Sequence, residues 1–301
     1  MSDPLAQIVG LLRPGPAFSK AVEGRGAWRV SRAEAGRPFY CAVIEGGCRL
    51  AAGGPGAVTL GAGDFVLIPA AQDFVVSSLD PAAAGAAETV PREVRPGLFR
   101  LGAPGGAPEV RMLVGYCVFG TPDAALLVSL LPQCVIARGA RRLTSLVDML
   151  EEEARQSRPG RDVVLARLLE VLLIEALRTL GAPSATPGLL RGLADERLSI
   201  ALRRMHAAPA APWTVARLAQ EAGLSRSAFF ERFHREVGLA PMAYLVRWRM
   251  ALAKDLLRRD KAGVAEVAAR VGYGSASAFS VAFARQTGTP PVAYARQDGP
   301  G

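Results

Sequence analysis

Between Trp213 and Arg296 the chain states one pattern twice. The first copy reads Leu218-Ala219-Gln220-Glu221-Ala222-Gly223-Leu224-Ser225, then Phe229, Phe233 and Gly238. The second reads Val267-Ala268-Ala269-Arg270-Val271-Gly272-Tyr273-Gly274-Ser275, then Phe279, Phe283 and Gly288. The phenylalanines recur at a step of 50, whereas Ala219/Ala268 and Gly223/Gly272 recur at 49, so the one-residue offset falls in the turn, at Gly274. Two units at a fixed period mark a duplicated supersecondary element, which constrains this region to two similar packed pieces.

Each unit reads as helix, tight turn, helix. Ala219 is small, as a position facing a closely crossing helix must be. Gly223 stands where the first helix ends, and glycine accepts the left-handed conformation needed there. Ser225 suits the N-cap of the second helix. Phe229, Phe233 and Val237 follow at four-residue intervals and form its buried stripe. The other side carries Arg226, Ser227, Phe230, Glu231, His234 and Arg235. This is the helix-turn-helix arrangement, whose second helix enters the DNA major groove. Residues 241–259 have the length and pattern of a helix joining the two units.

One copy of such a pattern occurs in many helical proteins; two copies on one connecting helix are far more specific. Over about residues 195–296 the sequence resembles the DNA-binding domain of AraC/XylS-family transcriptional regulators. The most telling part runs from Val271-Gly272-Tyr273-Gly274-Ser275 through Phe279 and Phe283 to Gly288-Thr289-Pro290-Pro291 and Tyr294. The resemblance implies a sequence-specific, DNA-binding transcription regulator.

Charge supports that reading. The chain carries a net +9, and residues 195–301 hold sixteen Lys and Arg against nine Asp and Glu, so +7 of the excess sits with the paired motif. Phosphate binding requires such a placement. No 18-residue uncharged apolar run is present, and Met1-Ser2-Asp3-Pro4 does not begin a secretion signal, so the expectation is a cytoplasmic protein with no membrane span.

The N-terminal half is built differently. Residues 4–13 read as a short amphipathic helix, stopped by Pro14-Gly15-Pro16. Short apolar runs at 27–31, 39–44, 48–52, 57–60, 65–68, 74–77 and 112–119 predict strands of a sandwich or barrel. Residues 80–108, rich in Ala, Gly and Pro, read as a long, poorly packed loop. Pro38-Phe39-Tyr40-Cys41-Ala42-Val43-Ile44-Glu45-Gly46-Gly47-Cys48 and Leu60-Gly61-Ala62-Gly63-Asp64-Phe65-Val66-Leu67-Ile68-Pro69 resemble the small β-barrel of the cupin group, with an expected turn at 45–47. The opening Asp3-Pro4-Leu5 and Leu11-Leu12-Arg13-Pro14 resemble the cupin-like sensor domains attached to some AraC-family regulators.

Metal-binding cupins place histidines beside the Glu-Gly turn and after the proline. Here those places hold Phe39, Tyr40 and Cys41, then Ala70, Ala71, Gln72 and Asp73, and the two histidines of the chain, His206 and His234, stand elsewhere. A catalytic metal needs three or four converging N, O or S ligands. The reading therefore calls for no metal, no cofactor and no enzymatic activity. A cupin-type enzyme with a DNA-binding tail and an architectural DNA-binding protein without a sensor are the competing alternatives.

Two leucine-rich helices are predicted at 141–156 and 161–180, separated by Pro159-Gly160. They suit packing on the barrel or pairing with a second subunit, and the family resemblance favours a homodimer. The expected class is α+β multidomain: a cupin-like sensor barrel at 1–138, a helical pair at 139–182, a linker at 183–194, and an all-α domain with two helix-turn-helix units at 195–301.

By position in the motif, the first unit offers Arg226, Ser227, Phe230 and Glu231 to base edges, and the second offers Ala276, Ser277, Ser280 and Val281. Many family members carry Arg where Val281 stands, which weakens polar readout by the second helix. Ser225 and Ser275 cap helix ends that can hold phosphates, and Arg232, Arg235, Arg247 and Arg285 are candidate phosphate contacts. The expected partners are double-stranded DNA, a second copy of the chain, a small-molecule effector and RNA polymerase. Tyr40, Ala42, Ile44, Phe65 and Leu67 are the expected effector lining. Cys41, Cys48, Cys117 and Cys134 are the candidates for a redox signal instead, with Cys41 and Cys48 expected on opposite faces of the sheet.

Overall fold

A computed structural model describes residues 3–33, 36–52, 56–80, 88–121, 124–156, 158–179, 187–259 and 262–296. The chain divides into two compact units. One comprises Arg13–Gly120 and Gln133–Ala182; the other comprises Met1–Leu12, Thr121–Pro132 and Pro183–Gly301. This differs from the division read off the sequence. The N-terminal helix α1 (Pro4–Leu12) and the short α2 (Ala124–Val128) belong to the helical unit. Leu5, Ile8, Val9 and Leu12 of α1 are buried, and a helix with that apolar stripe must cover it.

The first unit is a curled sheet of ten strands: β1 (Pro14–Arg25), β2 (Arg29–Ala33), β3 (Phe39–Ala52), β4 (Val58–Gly61), β5 (Phe65–Ile68), β6 (Asp73–Ser77), β7 (Arg92–Arg95), β8 (Leu98–Gly102), β9 (Val110–Phe119) and β10 (Val135–Ala137). The main path runs β10-β5-β3-β9-β1-β8-β7, with β2 on β6, and β6 and β4 on β3. All neighbours are antiparallel except β1 and β8.

β3 organises this unit, and it corrects the expected hairpin. Residues 39–44 and 48–52 are one continuous strand, with no turn at 45–47. Its first half pairs with β5 and β9, and its second half with β4 and β6. The register shifts between Val43 and Glu45. An added residue of this kind bends a strand and reverses which parity faces inward. Phe39, Cys41 and Val43 point into the interior cluster before the shift, and Cys48 and Leu50 after it. Cys41 and Cys48 therefore share one interior. Gly46, with φ +71°, lies so close to Glu109 that a Cβ would sit 1.8 Å from its carbonyl oxygen, so no larger residue fits.

The expected loop at 80–108 is also corrected where it is described. Residues 92–102 form β7 and β8, and β8 pairs in parallel with β1 from Ala21↔Leu98 to Arg25↔Gly102. Residues 81–87 lie outside the described residues. The helical pair is present as expected: α3 (Arg141–Arg155) and α4 (Arg161–Arg178) pack on each other and on β1, β3 and β5.

The second unit continues with α5 (Leu189–Ala194), α6 (Glu196–Ala207), α7 (Val215–Glu221), α8 (Arg226–Val237), α9 (Pro241–Arg259), α10 (Val264–Arg270), α11 (Ala276–Thr287) and α12 (Pro291–Arg296). Much of the expected linker is structured: α5 packs on α6 and α8, and the amide of Gly188 donates to Glu236 O at 2.9 Å. Residues 181–186, where the rest of that linker falls, lie outside the described residues.

Candidate nucleic-acid interface

The duplication seen in the sequence is matched bond for bond. The turn between α7 and α8 closes with Leu224 N–H donating to Ala219 O at 2.9 Å; the turn between α10 and α11 closes with Tyr273 N–H donating to Ala268 O at 2.8 Å. Gly223 and Gly272 adopt φ +63° and +81°, the left-handed conformation that ends the leading helix. Ser225 and Ser275 cap the following helices, each side chain accepting from the amide three residues on, Ala228 and Ala278. Both helices stop at a left-handed glycine, Gly238 and Gly288.

The cores repeat as well. Phe229 and Phe233 stack at 5.6 Å between ring centroids, and Phe279 and Phe283 at 5.5 Å. Phe233 meets Tyr244 edge-on at 5.9 Å, and Phe283 meets Tyr294 at 5.3 Å. All four phenylalanines are fully buried. With that face fixed inward, the opposite face of α8 and of α11 is fixed outward. α9 joins the units; its 19 residues span about 28 Å at the helical rise of 1.5 Å per residue.

The two outward faces differ in chemistry. On α8, Arg226, Ser227, Phe230 and Glu231 are all exposed. On α11, Ser277 and Val281 are exposed, Val281 to 71%, while Ala276 and Ser280 are half-buried. The Ser280 hydroxyl donates back to Ala276 O at 2.7 Å, so it is engaged within its own helix. The structure thus brings each set of four base-reading candidates onto one helix face, but leaves Ser280 a poor outward donor.

The arginines separate in the same way. Arg235 and Arg285 are exposed, and Arg235 also pairs with the neighbouring Glu236 carboxylate at 2.8 Å. Arg232 instead bonds the Asp195 carboxylate at 2.6 Å. Asp195 also caps α6 by accepting from the amides of Arg197 and Leu198. Burial pushes that carboxyl up, but the amides and the guanidinium outweigh it and hold it below its ordinary range. Arg247 donates to the Ser129 hydroxyl at 3.2 Å. Arg232 and Arg247 are thus tied to their own unit.

The docking of α1 and α2 onto these helices was not visible in the sequence. Its polar centre is His206, buried at 2% exposure and stacked on Trp248 at 4.1 Å. Leu189 N–H donates to Leu130 O at 3.2 Å in the same region. A short apolar helix and a buried histidine carry no spacing signal that links residue 7 to residue 206.

In the first unit, the expected effector residues are displaced. The pairs Tyr40↔Leu67 and Ala42↔Phe65 share the sheet face opposite to Cys41↔Val66. Ile44 is half-buried beside the register shift. Tyr40, Ala42, Phe65 and Leu67 are buried on the side where α3 and α4 pack, and burial raises the Tyr40 phenol to about 12. The interior instead holds a cavity of about 60 Å³ lined by Val22, Trp28, Phe39, Phe74 and Met112, with Lys20 and Arg32 beside it. Burial and the Arg32 charge lower the Lys20 ammonium below its ordinary value. None of the four cysteines has an exposed, acidified setting. Burial raises Cys48 and Cys117 to about 12 and Cys134 to about 11, and pushes Cys41 well up.

A family model described as a cupin matches residues 3–182, and one described as a helix-turn-helix domain matches residues 218–297. A putative AraC-like transcription regulator from Streptomyces lividans is 34% identical, covering 97% of each chain. The chain belongs to the AraC-like transcription regulators. A second such regulator, from Streptomyces antibioticus, is 33% identical over 99% of this chain and all of its own. Among solved structures, the DNA-binding domain of AdpA in complex with a target DNA is 33% identical, covers 34% of this chain and 91% of that one, and has a TM-score of 0.33. The protein is accordingly a DNA-binding transcription regulator with an N-terminal cupin domain. Among the described residues, no helix of this regulator is long and apolar enough to cross a membrane.

Proposed function

We propose that this regulator reads DNA asymmetrically, with α8 supplying polar base contacts and α11 mostly apolar ones, under the control of a small molecule in the N-terminal unit. The observation that carries the reading is the unequal outer faces of two helices built on matching turns, caps and cores. Arg226 suits guanine, Glu231 can accept from cytosine N4, and Phe230 and Ser227 complete the α8 face. Ala276, Ser277, Ser280 and Val281 form the α11 face. Phosphates are met by Arg235 and Arg285 and by the amides at the Ser225 and Ser275 ends of the helices. Arg232 and Arg247 act within the protein.

The apolar interior cavity is the favoured effector site, because the buried thiols lack the thiolate character that redox sensing requires. Pairing of two copies through α3 and α4 is favoured by the outward stripe Val164, Leu168 and Val171, with Met149 on the neighbouring helix; Met149, Val164 and Val171 are exposed and Leu168 is half-buried. Such a dimer would act at promoters, beside RNA polymerase, in the cytoplasm.

The deciding experiment is selection of duplexes from a random pool by the full chain at two salt concentrations. A recovered motif with a G·C pair that loses its preference in Glu231→Ala or Arg226→Ala supports the reading. Recovery of no motif, with binding equal on all duplexes, refutes it.

A further inference from the structure

The second reading helix has an outer face that invites a specific chemistry. Val281 stands at the position equivalent to Glu231, two residues beyond the buried Phe279, and is 71% exposed. Around it, Ala276 offers a methyl group and Ser280 has its hydroxyl turned back to Ala276 O. Ser277 is the one side chain of the four with a polar group left for the outside. An exposed valine is also an unfavourable choice for a solvated helix, since β-branching restricts χ1 there. That restriction has a use: the two methyls of Val281 are held in one arrangement before any partner arrives.

In the major groove, base edges present hydrogen-bonding atoms with one apolar exception, the C5 methyl of thymine. A rigid apolar knob on a groove-entering helix has only that group to match. It leaves guanine and cytosine edges desolvated without a partner, which counts against them. We infer that Val281 makes this regulator select an A·T pair by packing on a thymine methyl, so that the duplicated units read different base pairs by different chemistries. This rests on α11 being a base-reading helix, as proposed above.

The test uses the full chain and a duplex selected by it from a random pool. Each thymine is replaced in turn by deoxyuridine, which removes the methyl and leaves every hydrogen-bonding atom in place. The expected result is a loss of about three- to tenfold in affinity at one or two thymines, the size expected for one buried methyl or methylene. In Val281→Ala the same replacements have little effect; in the wild type, 5-methylcytosine at that thymine's own position, paired with guanine, is tolerated better than cytosine there. Val281→Arg, a substitution at an exposed helical site, shifts the preference there toward guanine. If wild type still selects its duplex but no uridine replacement matters, or if the sensitive thymine is as sensitive in Val281→Ala, the thymine contact is overturned while the DNA-reading assignment stands. If wild type selects no sequence at all, the assignment of α11 falls with it.

Discussion

His206 Nδ1 lies 3.0 Å from Gln7 Oε1, a bond across 199 residues of sequence that fastens the first helix of the chain to the DNA-binding helices. The Gln7 oxygen can only accept, so Nδ1 carries the proton; Nε2 then accepts from the Tyr244 hydroxyl at 2.6 Å. Both ring nitrogens are thereby satisfied with the imidazole neutral. Burial depresses its pKa from 6.5 to about 3.

That depression fixes the sign of a pH dependence. The unfolded chain binds a proton near pH 6.5 and the folded chain does not until about pH 3, so the stabilisation is complete above 6.5 and erodes as pH falls toward 3. The slope for one such group is about 1.4 kcal/mol per pH unit. Urea unfolding of the wild type at pH 7 and pH 5 is expected to differ by about 2 kcal/mol more than the same measurement on His206→Gln. Equal pH differences in the two proteins would show that the histidine is protonated in place.

The same contact bears on how the DNA-binding helices behave when isolated. Both reading helices and α9 lie within residues 187–301, so that fragment is expected to bind DNA with an affinity that falls steeply with salt. A fragment starting at 195 also loses α5, whose Leu189 is fully buried and whose Gly192 packs against Val237 and Leu202. Losing Leu189 alone costs about 1.5–3 kcal/mol, and the shorter fragment is expected to melt at a distinctly lower temperature. Thermal denaturation of the two fragments beside the full chain makes the comparison. Matching melting temperatures for 187–301 and 195–301 would argue that α5 contributes nothing.

Unequal reading faces predict unequal mutational effects. Glu231→Ala is expected to relax preference at one or two base pairs, by roughly 1–3 kcal/mol of discrimination. Ser280→Ala is expected to leave preference unchanged, because its hydroxyl is bonded to Ala276 O. Competition binding on single-base variants of a selected duplex measures both. A loss from Ser280→Ala as large as that from Glu231→Ala would mean that the hydroxyl turns outward on DNA.

The paired helix-turn-helix region was legible because its signals are local and repeated. Ala219, Gly223, Ser225, Phe229 and Phe233 each take the place in the turn, cap or core that their chemistry demands, and the second copy does the same. The barrel was legible in its longer strands, but β3 shows where local reading stops. Glu45-Gly46-Gly47 carries the composition of a turn, yet the segment continues as a bent strand because both halves find partners, β5 and β9 on one side and β4 and β6 on the other. One shifted residue then reverses the inward parity, so that Cys48 faces the same interior as Cys41, while Tyr40 and Ala42, ahead of the shift, alternate with Phe39 and Cys41 onto the outer face. The residues around β8 were misread for a related reason: its pairing with β1 is parallel and joins positions about 77 residues apart, which no short-range pattern records. The protein partners of Arg232 and Arg247, Asp195 and Ser129, were not legible because they are distant in sequence.

Exposed apolar residues on α4 lead to a prediction about assembly. Val164, Leu168 and Val171 follow at intervals of four and three, the spacing of one helix face, and Val164 and Val171 remain exposed at 43% and 40%. Introducing charge there, as Val164→Lys with Val171→Lys, is expected to convert dimers into monomers without loss of folded structure. Sedimentation velocity and circular dichroism test the two halves of that statement. A wild type that sediments as a monomer at tens of micromolar, or a double variant that still dimerises, removes α4 from the interface.

The four cysteines are expected to be unreactive in the folded regulator. The thiolate is the reacting form. Raising a thiol from 9.0 to about 11 or 12, as burial does for Cys134, Cys48 and Cys117, lowers the thiolate fraction near neutral pH about a hundred- to a thousandfold. Cys41 is raised in the same direction, lies in the same apolar interior as Cys48, and neither faces a cation that would reverse the effect. Alkylation by iodoacetamide at pH 7.5 is therefore expected to modify well under one thiol per chain in the time that modifies all four in urea. The companion experiment replaces all four by Ala, a change that removes only small groups, three of them buried and Cys134 half-buried, and follows expression from a responsive promoter in cells. Regulation is expected to persist, as it must if the signal is a molecule held beside Phe39 and Trp28. Rapid labelling of any cysteine in the folded chain, together with loss of regulation but not of DNA binding in the four-fold variant, would transfer the sensing role to that thiol.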